Sequence, residues 1–308
     1  MSGDPGPAEP GARTPSSWRD YTTLAKPGIS ALIVLVAAAG YFVAEPPTID
    51  VVRLGVLLGT GALASAGAAM LNHYLDRDVD ARMRRTRGRP LPDERIAPSS
   101  RVAILGLTFL GVGIAVATWA LNPLTGVSIL LGGVTYVVVY TAWLKRRTSW
   151  NIVIGGFAGS APALAGSAAA VGSWTTGALA LALLVFLWTP PHFWSLALFL
   201  RDDFRSAGLP MLPRMDDATY SAKVIVVSAA LLLPATLVLA AFGPVTWPVV
   251  AALVAVAVGF LLVTLPLWSS PERRTARRGF IYSGPYLLVV LVALIANWGL
   301  VRVGIGGR

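Results

Sequence analysis

The sequence predicts an all-α polytopic membrane protein, with nine transmembrane helices around a central cavity. Three observations lead there. The chain of 308 residues is 55% hydrophobic and only 13% charged, with mean hydropathy +0.68, too apolar for a soluble protein of this length. Apolar runs long enough to cross about 30 Å of hydrocarbon, which takes about 20 residues, recur along it. The basic residues fall in the short gaps between those runs, so the net charge of +10 and pI near 10.5 reflect membrane orientation and not a nucleic-acid partner.

Taken in order, residues 1–18 are rich in Pro, Gly and Ser and read as a disordered tail without the apolar core of a signal peptide; residues 19–308 form one nine-helix membrane domain. The predicted spans are 28–46, 53–75, 102–121, 124–143, 151–171, 175–200, 223–242, 246–268 and 280–301. Pro190 and Pro191 predict a kink in the sixth. Of the 25 Lys and Arg residues, 22 lie in the N-terminal segment and alternate connections, against Arg53, Arg302 and Arg308 on the other side. The positive-inside rule makes the rich side cytoplasmic, with the N-terminus inside and the C-terminus outside, as expected for a multi-pass protein of a bacterial cell membrane. There is no cysteine, so no disulfide framework and no thiolate chemistry.

The acids are concentrated. Nine of the 15 sit in two connections on the basic side: Asp76, Asp78, Asp80, Asp93 and Glu94 after span 2, and Asp202, Asp203, Asp216 and Asp217 after span 6. The two lie four spans apart, each at a helix C-terminus where the dipole favours a cation. A four-helix unit used twice, with a ninth helix added, would bring them together.

Asn72, Asp76 and Asp80 stand at i, i+4 and i+8, on one helix face. Uncompensated carboxylates at the end of an apolar run cost several kcal/mol, so a bound cation is expected. Oxygen-only ligands suit Mg²⁺, which shares its shell with substrate phosphates. The loop that follows carries Arg84, Arg85 and Arg87 beside Gly88 and Pro90, suited to bidentate contact with a diphosphate. Local ion pairing at a solvated helix end is the competing reading. Lys145, directly after span 4, is placed to offset charge on a leaving group, with Arg146 and Asn151 as further substrate contacts. Asp202 and Asp203 form a second acidic centre, Asp203 as ligand to a second metal. His192 follows the proline pair inside span 6, where freed backbone groups line a cavity. Trp188 and Trp194 flank it. Trp18, Trp119, Trp143, Trp150, Trp174, Trp247, Trp268 and Trp298 fall at span ends as interfacial anchors.

Asn72-xxx-Asp76-xxx-Asp80 followed by Met83-Arg84-Arg85-Thr86-Arg87 and Arg89-Pro90-Leu91 resembles the signature of the intramembrane aromatic prenyltransferases related to 4-hydroxybenzoate polyprenyltransferase. Lys26-Pro27, Tyr140-Thr141-xxx-Lys145-Arg146-xxx-Thr148-xx-Asn151, Trp188-Thr189-Pro190-Pro191-His192-Phe193-Trp194 and Asp202-Asp203-Phe204-xxx-Ala207-Gly208-xx-Met211-Leu212-Pro213 are similar to the branch of that superfamily that farnesylates haem. The likeness runs from about Tyr21 to span 9. It implies a nine-helix bundle around a cavity, dependent on Mg²⁺, with farnesyl diphosphate and protohaem IX as substrates. Haem A synthase or a terminal oxidase are candidate assembly partners. Asp203 is followed four residues on by Ala207 where the wider superfamily carries a second acid, as in the haem branch. A sibling acting on a quinone precursor or chlorophyll-type ring would share the diphosphate site without needing His192. A cation-coupled transporter would place carboxylates among helices without an arginine-rich loop.

Overall fold

A computed structural model describes residues 16–304. The predicted tail therefore lies outside the described residues over 1–15, and a short helix α1 already begins at its end, Trp18–Leu24. Next come α2 (Pro27–Val43), α3 (Val51–Asp80), α4 (Ser100–Ala120), α5 (Pro123–Val134) with a π-helical continuation over Thr135–Leu144, α6 (Asn151–Gly155) leading into α7 (Phe157–Val171), and α8 (Thr176–Phe199). The chain closes with α9 (Arg201–Ser206), α10 (Ala218–Ala230) running into α11 (Leu232–Phe242), α12 (Trp247–Thr264) with a 3₁₀ turn over Leu265–Trp268, and α13 (Arg273–Arg302). Among the described residues, eight helical segments are long and apolar enough to cross a membrane, and α2, joined to α1 across a bend of 47°, makes the ninth.

Local chemistry sets the boundaries. Asp50, Asn122, Thr175 and Asp217 each occupy an N-cap, where the side-chain oxygen accepts the free backbone N–H three residues on. Pro27 and Pro123 open α2 and α5 at N1, where no N–H is needed. Gly172, with φ 74°, ends α7 in the left-handed conformation. The second span was expected to stop at residue 75, yet α3 continues to Asp80. Its last turns are rich in charged and polar residues, with Leu75 and Val79 as exceptions, so hydropathy falls while the helix persists. The proline pair of the sixth span does not interrupt α8, which runs unbroken through Pro190 and Pro191.

Consecutive spans pack on one another, α2 lies against α7, and α13 packs on both α8 and α2, closing the ring. Backbones come very close where side chains are smallest. A Cβ on Gly166 would collide with the Ala37 carbonyl and stand 2.6 Å from the Tyr41 nitrogen, and one on Gly67 would meet the Gly106 carbonyl oxygen at 2.5 Å. In lipid, this small-residue packing replaces the hydrophobic drive that water supplies elsewhere.

The connections sort onto two ends. At one, Asp203 bonds the loop after α3, Arg146 bonds Asp78, and Arg273 bonds Asp202. At the other, Arg53 reaches the Ala169 carbonyl, Asn122 the Ala168 carbonyl and Arg302 the Pro46 carbonyl. The basic alternation thus corresponds to real sidedness. Of the expected anchors, Trp18, Trp119, Trp143, Trp150, Trp174, Trp247 and Trp268 are exposed, while Trp298 is partly buried and donates to the Pro46 carbonyl.

Gly166→Leu is expected to lower the thermal midpoint in detergent sharply, because overpacking costs about 1–3 kcal/mol even where neighbours can move. Gly59→Ala, with nothing within 4 Å of its added carbon, leaves the midpoint unchanged or slightly raised. Equal melts for the two variants would contradict the packing described.

Candidate active site

The last turns of α3 carry the site. Asn72, Asp76 and Asp80 are buried, Asp76 to 2% exposure. Asp78 lies two residues from each neighbouring acid, roughly 200° round the helix, and faces outward. The i+4 spacing therefore selects the inner face as expected. What the buried acids meet there is a set of cations from three other elements.

Lys145 Nζ lies 2.5 Å from Asp76 Oδ2, and the same oxygen accepts from Asn72 Nδ2 at 2.8 Å. Asn72 in turn accepts from Lys26 Nζ at 2.6 Å and donates to Thr141 Oγ1 at 3.0 Å. Lys26 also reaches the Tyr136 hydroxyl at 3.2 Å. Asp80 Oδ2 accepts from Arg89 at 2.7 Å. Thr86 Oγ1 donates to the Asp80 carbonyl at 2.9 Å, folding the loop back over the end of α3.

Two local distortions make this convergence. Lys26 adopts the left-handed conformation, φ 48° and ψ 62°, at the bend before Pro27. Such a residue costs of order 1–3 kcal/mol, and here it turns the ammonium inward. The second is the π-helical stretch. In an α-helix at about 100° per residue, positions nine apart fall on opposite faces. With the wider i→i+5 ring, at roughly 4.4 residues per turn, they fall on the same one. The Lys145 N–H accordingly bonds the Tyr140 carbonyl and Thr141 Oγ1 the Tyr136 carbonyl, so that Tyr136, Thr141 and Lys145 all face α3.

Lys26, Arg85, Arg89 and Lys145 face Asp76, Asp80 and, from the second loop, Asp203, which leaves positive charge in excess. Partial shielding from water, and then Arg89 beside it, holds the Arg85 guanidinium below its ordinary range, a repulsion that a bound anion would relieve. Asp76 Oδ1 is buried without a partner. These features fit a divalent cation carried in with a diphosphate: two carboxylates, one with a free oxygen, and cations around them for the phosphates. An all-protein cage does not fit, since no group of three or more acidic, histidine or cysteine ligands converges among the described residues.

Several expected residues lie elsewhere. Of the residues expected on one metal, Asp76 and Asp80 share the buried cluster with Asn72, while Asp203, expected on a second, lies at the loop. Asn72 Oδ1 is taken by Lys26, and Asp203 accepts from the backbone N–H groups of Arg84 at 2.8 Å and Arg85 at 3.4 Å. Asp203 thus clips the first loop to the second, joining the two acidic connections as anticipated but through amides. Asp202 is exposed and pairs with Arg273, whose hydrogen bond holds its carboxyl below the usual range. Arg146 grips Asp78 through two bonds of 2.8 and 2.7 Å, which raises its guanidinium further, and it donates to the Leu75 carbonyl. Asn151 is fully buried and ties its loop to the carbonyls of Thr148 and Pro210. Arg84, Arg85 and Arg87 are exposed, and Arg89 is the member of that cluster that pairs with a buried acid, Asp80.

His192 stands on α8, with Nδ1 2.6 Å from Ser283 Oγ and its ring stacked on Trp188 at 4.4 Å. Trp194, two residues on, points the other way and packs edge-on against Trp150. His73 had no assigned role, yet it is buried with both ring nitrogens unpartnered and Nδ1 3.9 Å from Asp80. Its adjacency to Asn72 was its only signal.

Among the described residues, a helical bundle of up to nine spans with a buried acid–base cluster at one end defines a polytopic membrane protein. Residues 33–289 match the UbiA prenyltransferase family, and the chain belongs to that family. A Sulfurisphaera tokodaii protein named Protoheme IX farnesyltransferase is 42% identical over 282 residues, covering 90% of this chain and 92% of that one. Protoheme IX farnesyltransferase 1 of Paramagnetospirillum magneticum is 41% identical, covering 91% and 99%. In fold, the chain is similar to a digeranylgeranylglyceryl phosphate synthase, with TM-score 0.72 at 16% identity over 91% of this chain and 98% of that one. A UbiA homologue from Archaeoglobus fulgidus, bound to GPP and Mg2+, gives TM-score 0.70 at 16% identity, over 89% and 99%. Membership of a prenyltransferase family removes the transporter reading.

Asp203→Ala is expected to free the 81–99 loop. A lost hydrogen bond to a charged group is worth about 1.5–3 kcal/mol, so tryptic cleavage within Arg84–Arg89 accelerates about tenfold or more. Asp202→Ala leaves the cleavage rate unchanged. Equal rates in the two variants would remove the clip.

Proposed function

We propose that this protein transfers a farnesyl group from farnesyl diphosphate to a vinyl group of protohaem IX with addition of water, giving haem O and diphosphate. The observation that carries this is the match, at about 40% identity over about nine-tenths of both chains, to relatives named Protoheme IX farnesyltransferase. The buried site supports it from the side of chemistry.

In this reading Asp76 and Asp80 hold Mg²⁺, which when bound would neutralise diphosphate charge. Arg85 and Arg89 hold the diphosphate from the loop side. Lys145, already poised on Asp76, turns its charge to the leaving oxygen as the C–O bond breaks and the electron pair departs with diphosphate. Lys26 and Thr141 fix Asn72, and Asn72 fixes the carboxylate of Asp76. The apolar bundle keeps water from the allylic farnesyl cation until the π electrons of the haem vinyl group form the new C–C bond. A water oxygen then adds to the cation left beside the porphyrin and loses a proton, giving the hydroxyethylfarnesyl substituent.

The end bearing the basic connections faces the cytoplasm of a bacterial cell, placing the N-terminus inside and the C-terminus outside, in agreement with the charge bias. Farnesyl diphosphate then enters from the aqueous side on which its anionic head meets the arginines.

The test is incubation of purified protein with protohaem, farnesyl diphosphate and Mg²⁺, with the pigment identified by mass. Haem O is expected, and chelation of the metal abolishes it. Asp76→Ala abolishes diphosphate release, Asp76→Asn does so in a protein that keeps its fold and membrane insertion, and Lys145→Met lowers kcat about 10²–10³-fold, as loss of one preorganised donor does elsewhere. Arg146→Ala stays within severalfold of the parent. A prenylated quinone precursor in place of haem O, or near-normal turnover by Asp76→Ala, would refute the assignment.

A further inference from the structure

Ser283 determines which nitrogen of His192 carries the proton. Its Oγ lies 2.6 Å from the Phe280 carbonyl oxygen, which can only accept, so the one hydroxyl proton is committed there. The same Oγ lies 2.6 Å from His192 Nδ1 and must accept from it. Nδ1 is therefore protonated. The groups against the ring are Trp188, Phe280 and Ser283, none of them an acid, so a second proton would be an unpaired buried charge. The lone pair is left on Nε2.

The ring is also held in plane. Trp188 stacks on it with an interplanar angle of 20°, and Phe280 lies 5.0 Å away on a 36° tilt. Trp188 is itself tied to α13, donating from Nε1 to the Ser283 carbonyl at 3.0 Å. One residue of α13 thus anchors both aromatic side chains of α8, and Nε2 is directed away from it. The hydrogen-bond chain ends at a carbonyl, so it can pass no proton onward, which argues against a relay. A fixed neutral imidazole, with its Nδ1–H satisfied and its other nitrogen free among flat apolar surfaces, is the arrangement that binds a metal.

We infer that His192 Nε2 is an axial ligand to the iron of protohaem, and that Ser283 is the positioning residue that sets its tautomer; this rests on the substrate reading above. Ligation ties the centre of the macrocycle to α8 and leaves its rim, with the vinyl groups, to meet the farnesyl donor.

The test needs no turnover. Protohaem is titrated into the purified full chain without farnesyl diphosphate, and the ferrous complex is read by absorption and by resonance Raman with ¹⁵N-histidine labelling. The chain has two histidines and His73 is sealed at 2% exposure, so the assignment is clean. An isotope-sensitive iron–nitrogen band is expected in the parent and lost in His192→Gln. In His192→Ala it is lost and regained on adding imidazole, which also shows that the pocket is folded. Ser283→Ala keeps the ligand but lowers the band frequency and weakens haem binding about 10–100-fold, as outer partners of metal-bound histidines do. Ser283→Thr preserves both. An unchanged band in His192→Gln overturns the ligation and leaves the farnesyl-transfer reading standing. Failure of the parent to bind protohaem overturns both.

Discussion

The structure turns on a carboxylate that membrane physics disfavours, that of Asp76. It is buried near the C-terminal end of α3, where the helix dipole is itself negative, so neither water nor the helix stabilises its charge. Breaking such a buried pair costs about 3–5 kcal/mol, so its partners must arrive together. They come from far along the chain: Lys145 from the end of the fourth span, and Asn72 held in turn by Lys26 at the mouth of the first. Asp80 draws Arg89 from the loop in the same way. Satisfying two acids therefore fixes the relative position of the first, second and fourth spans and the fold of the loop between the second and third.

This requirement accounts for the two irregular pieces of backbone. A left-handed lysine and a π-helical segment are both less favourable than regular helix, and each aims an ammonium group at the same helix face. Without the wider winding, Tyr136 and Lys145 would face opposite ways. Strain here is the means by which distant cations reach α3.

Much of this was legible in the sequence, because lipid and helical periodicity act on every residue alike. Nine apolar runs and their basic alternation follow from the thickness of the bilayer and the cost of charge within it, and Asn72, Asp76 and Asp80 share a face by arithmetic. Lys145 could be read from its place after an apolar helix. Partner choice among like charges could not. Arg87 and Arg89 look equivalent in a string of arginines, and only the fold of the loop through Thr86 decides that Arg89 reaches Asp80. Arg146 beside Lys145 was assigned to the substrate, yet on leaving the π-helix it meets Asp78 on the outer face. Asp203 was recognised as facing the first motif, but that it spends its oxygens on backbone amides depends on a loop conformation no spacing rule supplies. Trp188 and Trp194 both flank His192 in the sequence, but two residues on means the opposite side of the helix, whereas Trp188, four residues away, shares its face.

The interior is divided into two chemical zones by this arrangement. At the mouth, cations outnumber acids and the loops are tied down by Asp203; around His192 the surroundings are aromatic and uncharged. His192 stands seven residues before the end of α8, about 10 Å up the helix from Phe199. A molecule with a polyanionic head and an apolar tail can satisfy both zones at once only by placing its head among the arginines and its chain inward. A flat macrocycle finds its stacking partners in the second zone, with any carboxylates on its rim drawn toward the cations of the first. The order of charge along the bundle therefore orients both kinds of ligand before any specific contact forms, and it keeps the ion that departs at the end where water can take it up.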